Sequence, residues 1–234
     1  MVSDREAQKR RAAERAVDYV EDGMVLGLGT GSTARHVLEV LAERLQTGQL
    51  QRIVGVPTSR ETSRLARELG IPLTSLEEEP RLDLTIDGAD EVSPDLNLIK
   101  GLGGALLWEK IVATASDRLI IVVDESKLVE RLGESAPLPV EVVPFGWSTH
   151  LAYLDLLGAH PKLRQTKDGN PFTTDGGHYL LDCRFEDGLL EPERVERELA
   201  QRVGVVETGL FLGLAEVVVV GSEDGVRVMM AEDR

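Results

Sequence analysis

Three carboxylates stand within five residues at Asp87-Gly-Ala-Asp90-Glu91, directly after an apolar alternation of Leu82, Leu84 and Ile86. Like charges so close together repel, and they need partners, solvent or a task. Gly88 permits a sharp turn, and Asp87 and Asp90, with Glu91, can face one crevice. Two carboxylates at a strand's carboxyl end can accept hydrogen bonds from the hydroxyls of a polyol, or form a catalytic pair. The plainer alternative is a helix cap. Further on, Lys100 precedes a glycine turn of Gly101, Gly103 and Gly104, and Glu109 follows within two turns of a helical stretch. Its neighbours one turn away are Ala105, Leu106, Val112 and Ala113. An apolar setting can raise a carboxyl pKa towards the range of a general base. Lys100 would supply compensating charge and could stabilise a developing oxyanion. The alternative puts Glu109 on a solvated helix face, paired with Lys110 or Asp117.

Three other loops carry small or charged residues after apolar strands. In VLGLGTGST, Gly27, Gly29 and Gly31 precede a helix opened by Ser32 and Thr33. Glycines let backbone approach an anion, and the free N–H groups of a helix start favour negative charge. No Lys follows in the register of a Walker loop, and Ser32 stands where the third glycine of a dinucleotide fingerprint would be. The next strand ends in Pro-Thr-Ser, without an acid for a ribose hydroxyl. A small phosphate or sugar phosphate fits better than a nicotinamide cofactor; the alternative is a tight turn with an ordinary Ser/Thr cap. PTSRET, 57–62, reads as such a cap, with Thr58 or Ser59 capping. In VVDESK, Lys127 lies just past a strand, where it could meet a phosphate as a point charge or serve only as a surface lysine.

The elements that position these loops alternate. Strands are expected at 24–29, 52–57, 82–88 and 119–126, and helices at 32–45, 59–70 and 105–116. Strands alternating with helices imply crossovers and a mostly parallel sheet covered on both faces. Ligands of such sheets bind beyond the carboxyl ends of the strands. After about Gly133 the order becomes strand 138–143, helix 146–158, short strand 162–166, strand 178–185, helix 192–204 and a strand from 205. That is the split β-α-β-β-α-β unit of a small ferredoxin-like domain. A hairpin of 215–221 and 226–230 could return the chain to the first sheet. The expected fold is therefore α/β: a Rossmann-like, mostly parallel sheet with helices on both faces, plus a smaller α+β ferredoxin-like domain. The boundaries fall at 1–132 with 206–234, and 133–205.

The 234 residues carry 26 Lys and Arg against 41 Asp and Glu, a net charge of −15. That average field repels a nucleic-acid duplex or an anionic membrane, and no basic cluster interrupts it. One cysteine, Cys183, leaves no disulfide framework, and the four histidines show no ligand spacing, so no metal site is expected. The N-terminal helix, 3–20, is charged and lacks the apolar core of a signal peptide. The reducing cytoplasm is the expected compartment.

Taken together, GLGTGSTA (27–34), PTSRET (57–62), DGADEV (87–92), KGLGGALLWEKIV (100–112), DESK (124–127), PLPVEVVPFG (137–146) and GVVETGLFLG (204–213) resemble the segments of the ribose-5-phosphate isomerase type A family, in the same order. The resemblance implies reversible conversion of ribose 5-phosphate to ribulose 5-phosphate, in the non-oxidative pentose phosphate pathway, without metal or organic cofactor. It implies a homodimer or homotetramer. Glu109 matches the proton-transferring base, and Asp87, Asp90 and Lys100 match the polar groups around the sugar's reacting end. Thr30, Gly31, Ser32, Thr33, Gly88, Ala89, Gly101, Leu102, Gly103 and Lys127 match positions that contact substrate or its phosphate. Three places depart from the family pattern. Leu102 interrupts an otherwise all-glycine turn, Trp108 is bulkier or less polar than its counterpart, and Asp175-Gly-Gly-His178 replaces a turn that carries asparagines. Two rival readings are another sugar-phosphate chemistry on the same sheet, such as an amino-sugar-phosphate deaminase or coenzyme A transferase, and a non-enzymatic sugar-phosphate sensor. Neither would need Glu109 together with DGADEV.

Overall fold

The computed structural model describes residues 2–231. In chain order the elements are α1 (Val2–Val17), β1 (Val25–Leu28), α2 (Ser32–Gln46), β2 (Val54–Pro57), α3 (Arg60–Glu68), β3 (Leu84–Asp87), β4 (Glu91–Val92), β5 (Leu98–Ile99), α4 (Leu106–Thr114), β6 (Leu119–Asp124), β7 (Leu138–Val142), α5 (Leu151–Leu156), β8 (His160–Leu163), β9 (Tyr179–Arg184), α6 (Pro192–Ala200), β10 (Val205–Thr208), β11 (Leu210–Phe211), β12 (Val217–Ser222) and β13 (Gly225–Met230). They group into two compact units, one of 1–89, 108–127 and 213–234, the other of 90–107 and 128–212. The segment 90–107, which the sequence boundaries place in the larger domain, groups with the smaller sheet.

The first unit is a six-stranded sheet in the order β13-β12-β6-β3-β1-β2. All neighbours are parallel except the terminal β12–β13 hairpin. Period-2 alternation sends Leu26, Leu28, Leu84, Ile86, Ile120, Val122, Val217 and Val219 to one face, where they pack against α1 and α2. Val112 of α4 packs with Val56 and Leu82 in a separate cluster. The mostly parallel sheet with helices on both faces is thus present, and the closing hairpin does return to it. Each large aliphatic side chain removed from water in such a core is worth roughly 1.5–3 kcal/mol.

The second unit holds an antiparallel sheet in the order β10-β7-β9-β8, with α5 and α6 supplying Leu154 and Leu199 to its core. Taking β7, β8, β9 and β10 as strands one to four, the order 4-1-3-2 with two helices is the ferredoxin-like arrangement. A third sheet, β11-β5-β4, is built from two-residue strands. Glu91 of β4 is fully buried, and its carboxylate accepts N–H groups of Gly133, Ser135 and Ala136 at 2.5–2.6 Å. That third carboxylate of the opening cluster is therefore a structural clamp. The stretch expected as one helix over 146–158 divides into a 3-10 turn, Trp147–His150, and α5. Gly146, left-handed at φ 73°, starts it late, and Gly158 at φ 78° follows its end.

Candidate active site

The carboxyl ends of β1, β2, β3 and β6 carry the four loops singled out above. At β1, Gly31 precedes α2 with φ 109°, a conformation open to glycine, and no side chain caps the helix. The ordinary Ser/Thr cap is thus absent, and the first-turn N–H groups of α2 are not satisfied by a side chain. Ser32 is exposed and Thr33 half-buried. The preceding Thr30 is held from two sides. Its N–H donates to Asp87 Oδ1 at 3.0 Å, and its hydroxyl lies 2.8 Å from Thr58 Oγ1, 2.9 Å from Ser59 Oγ and 3.0 Å from Thr62 Oγ1. Thr58 and Thr62 in turn donate to the carbonyls of Leu28 and Gly29 at 2.9 Å. PTSRET does cap its helix, since the N–H of Thr62 donates to Ser59 Oγ at 3.0 Å. It also braces the glycine loop, a role that the cap reading missed. The signal was a row of hydroxyls on the strand next to a glycine loop.

At β3, Asp87 is 1% exposed. Its Oδ1 accepts the N–H groups of Thr30 and, at 2.7 Å, of Gly88. A Cβ on Gly29 would overlap that carboxylate, so the glycine is what lets the loop lie against Asp87. Glu109 on α4 is 5% exposed, and Val112 and Ala113 one turn along are buried too. The solvated-face alternative for Glu109 is thereby excluded. At β6, Asp124 accepts the N–H and hydroxyl of Ser126 at 3.1 and 2.5 Å, ordering the 3-10 turn Glu125–Lys127 that presents a half-buried Lys127. One more cation stands at the glycine loop. Lys9 of α1 donates to Ser32 Oγ at 3.1 Å and to Glu6 Oε1 at 2.8 Å. The sequence reading saw α1 only as a charged helix, and nothing in local spacing ties a lysine to a loop more than twenty residues away.

The chain passes from the first unit to the second between Ala89 and Asp90, so the remaining predicted residues belong to the second. There Asp90 Oδ2 accepts the N–H of Leu102 at 2.9 Å, and the N–H of Asp90 donates to the Ile99 carbonyl at 2.8 Å. Lys100 is 2% exposed, with Nζ 5.4 Å from the centre of the Phe211 ring. The turn after it is clamped by Arg164, whose Nη1 donates to the carbonyls of Gly101 and Leu102 at 3.0 Å. Arg164 is itself fixed by a two-pronged pair with Asp182 at 2.9 and 2.5 Å. Leu102 and Gly103 are exposed at the turn's tip.

Comparison with known proteins matches these features to one family. The pattern of the Ribose 5-phosphate isomerase A (phosphoriboisomerase A) family fits residues 54–225. The ribose-5-phosphate isomerase A of Roseiflexus castenholzii is 56% identical over 93% of both chains. That of Gloeobacter violaceus is 57% identical over 94% of this chain and 95% of its own. The chain belongs to the ribose-5-phosphate isomerase A family. As a member of it, the protein is an isomerase. Solved structures agree with the fold: the ribose 5-phosphate isomerase of Plasmodium falciparum superposes with a TM-score of 0.94, 40% identity, and coverage of 97% of this chain and 100% of its own. A D-ribose-5-phosphate isomerase in complex with phospho-erythronic acid gives 0.94 at 41% identity, covering 97% and 99%.

The departures from the ribose-5-phosphate isomerase A pattern have local explanations. His178 Nδ1 lies 3.0 Å from Glu141 Oε1, which also accepts the Thr174 hydroxyl at 2.8 Å. The Asp175–His178 turn is thus tied to a buried carboxylate. Trp108 is half-buried and lines a cavity of about 350 Å³ with Leu76 and Ile111. Among the described residues, no group of three or more His, Cys, Asp or Glu is placed to hold a metal ion, and no helix is long and apolar enough to cross a membrane.

Proposed function

We infer that the protein interconverts D-ribose 5-phosphate and D-ribulose 5-phosphate through an enediol, as a step of the non-oxidative pentose phosphate pathway. The nearly full-length match to the ribose-5-phosphate isomerase A family carries this reading. Glu109 is the base. Its carboxylate takes the proton from carbon 2 of the open-chain aldose while the C–H electron pair moves into a double bond to carbon 1. The carbonyl oxygen becomes the enediolate oxygen, and Lys100 balances its charge. Glu109 then returns the proton to carbon 1 while the proton of the carbon 2 hydroxyl passes to the oxygen on carbon 1, leaving carbon 2 as the carbonyl, so one carboxylate serves both directions. Asp87 and Asp90 accept sugar hydroxyls. Thr30, Gly31, Ser32 and Thr33 receive the phosphate on the uncapped start of α2, with Lys127 as a cationic partner.

Gly88, Ala89, Gly101, Leu102 and Gly103 supply backbone around the sugar. Phospho-erythronic acid, held by one relative, supports this chemistry, because its carboxylate presents two oxygens as an enediolate does. The same reading proposes chemistry without metal or organic cofactor, a cytoplasmic location, no nucleic-acid or membrane partner, and a homodimer or homotetramer. The last is supported by exposed Phe145, Leu156 and Val203.

A coupled assay with ribose 5-phosphate tests the activity. Glu109→Gln keeps the shape but cannot accept the proton, and kcat should fall by about 10² to 10⁴ while substrate still binds. Full activity in that variant would overturn the mechanism.

A further inference from the structure

Beside the glycine loop, α2 and α3 flank a cavity of about 330 Å³ that opens at Gly29, Gly31 and Ser32. Among the described residues, the charged ones that line it are Arg35 and Glu61. Arg35 follows Ser32 by three positions, so both lie on the same face of α2. Its guanidinium is exposed and has no hydrogen-bond or ion-pair partner among the described residues. Several other arginines of this acidic chain are paired, such as Arg10 with Glu14 and Glu43, Arg44 with Asp18, and Arg64 with Glu68, whereas Arg67, Arg184 and Arg227 share the unpaired state of Arg35 among the described residues without lining this cavity. Glu61, in the first turn of α3, is exposed and equally unpaired among the described residues.

We propose that Arg35 is a further substrate-binding residue, contacting the phosphate held at the glycine loop from the side of this cavity, with Glu61 as an opposing charge that sets the affinity. The proposal rests on the sugar-phosphate reading above and assigns a residue which that reading does not contain. A guanidinium suits a phosphate because its N–H groups match two oxygens at once. Without Arg35, the cavity would present the dianion with a lone carboxylate. Arg35 and Glu61 should therefore act on affinity with opposite signs.

The test is steady-state kinetics on Arg35→Gln, Arg35→Lys and Glu61→Gln, with ribose 5-phosphate at low and high salt. Arg35→Gln should raise KM about 3- to 10-fold, between the worth of an exposed ion pair and a charged hydrogen bond. Its kcat should stay within twofold, and its KM should depend less on salt than the wild type's. Arg35→Lys should recover part of the loss, and Glu61→Gln should lower KM. Because both side chains are exposed, the melting temperature without ligand should not move; the melting shift produced by inorganic phosphate should shrink in Arg35→Gln. An unchanged KM and salt dependence would overturn the proposal, and so would a fall confined to kcat. A wild type inactive on ribose 5-phosphate would instead refute the isomerase reading, and the inorganic phosphate shift would still decide for or against Arg35.

Discussion

Asp87 shows how far a residue's role can be read from its neighbours in sequence. Its position at the end of an apolar strand marked it as a site residue. Its partners could not be read in the same way, because the N–H of Thr30 comes from a loop 57 positions earlier. Glu91, only four residues on, looks the same in sequence and is instead a clamp for three backbone N–H groups. A carboxylate's job is set by which donors the fold brings to it. The family motif separated the two; spacing did not. Lys127 is the residue-scale case with a direct measurement. It sits on a short turn fixed by Asp124, so a change at its end should not disturb the strand. Lys127→Ala should raise KM for the phosphorylated substrate by about 10-fold or more, as a charged hydrogen bond worth roughly 1.5–3 kcal/mol implies. Kinetics of the purified variant check this, and an unchanged KM would remove Lys127 from the site.

At the scale of elements, the long apolar strands were legible because burial on both faces leaves an unbroken hydrophobic run, as in Leu119–Val123. The β4, β5 and β11 strands were not, since two residues carry no period. They exist because backbone elsewhere pairs them, Val92 with Leu98 across a short turn and Ile99 with Leu210 from far along the chain. The meeting of β1 and β3 gives a prediction. Gly29→Ala would drive a methyl group into the Asp87 carboxylate and backbone. It should cost about 1–3 kcal/mol, the usual penalty of overpacking, read from chemical denaturation, and should lower activity as Asp87 is displaced. The 3-10 turn Trp147–His150 gives another. His150 is buried and its Nδ1 accepts from Arg202 Nε at 2.9 Å. Burial, and then the Arg202 charge, hold its pKa below the ordinary 6.5. A histidine lowered in the folded state contributes stability above its unfolded value, and that stability is lost as pH falls through the folded value. Melting temperature should therefore drop more between about pH 7 and pH 5 in the wild type than in His150→Gln, which binds no proton. Parallel curves would contradict the assignment.

For the whole molecule, the order of the six-stranded sheet has a consequence in time. Ile120 of β6 pairs with Val217 of β12, 97 positions later, and the core on one face of that sheet takes Val217 and Val219 from the same late strand. During synthesis β6 must wait with one edge open until Ser222 and the hairpin behind it have been made. Contacts so far apart in sequence are slow to form, because the intervening chain loses entropy before any pairing rewards it. The first unit should accordingly be the last part to become protected in refolding, and a chain ending at residue 214 should leave the apolar edge of Leu119–Val123 available to other chains. Pulse-labelled hydrogen exchange would show amides of β6 and β12 closing together and late, and the shortened chain would form soluble aggregates that bind a hydrophobic dye. Early, independent protection of β6 would mean that the nascent sheet shields its own edge before β12 arrives.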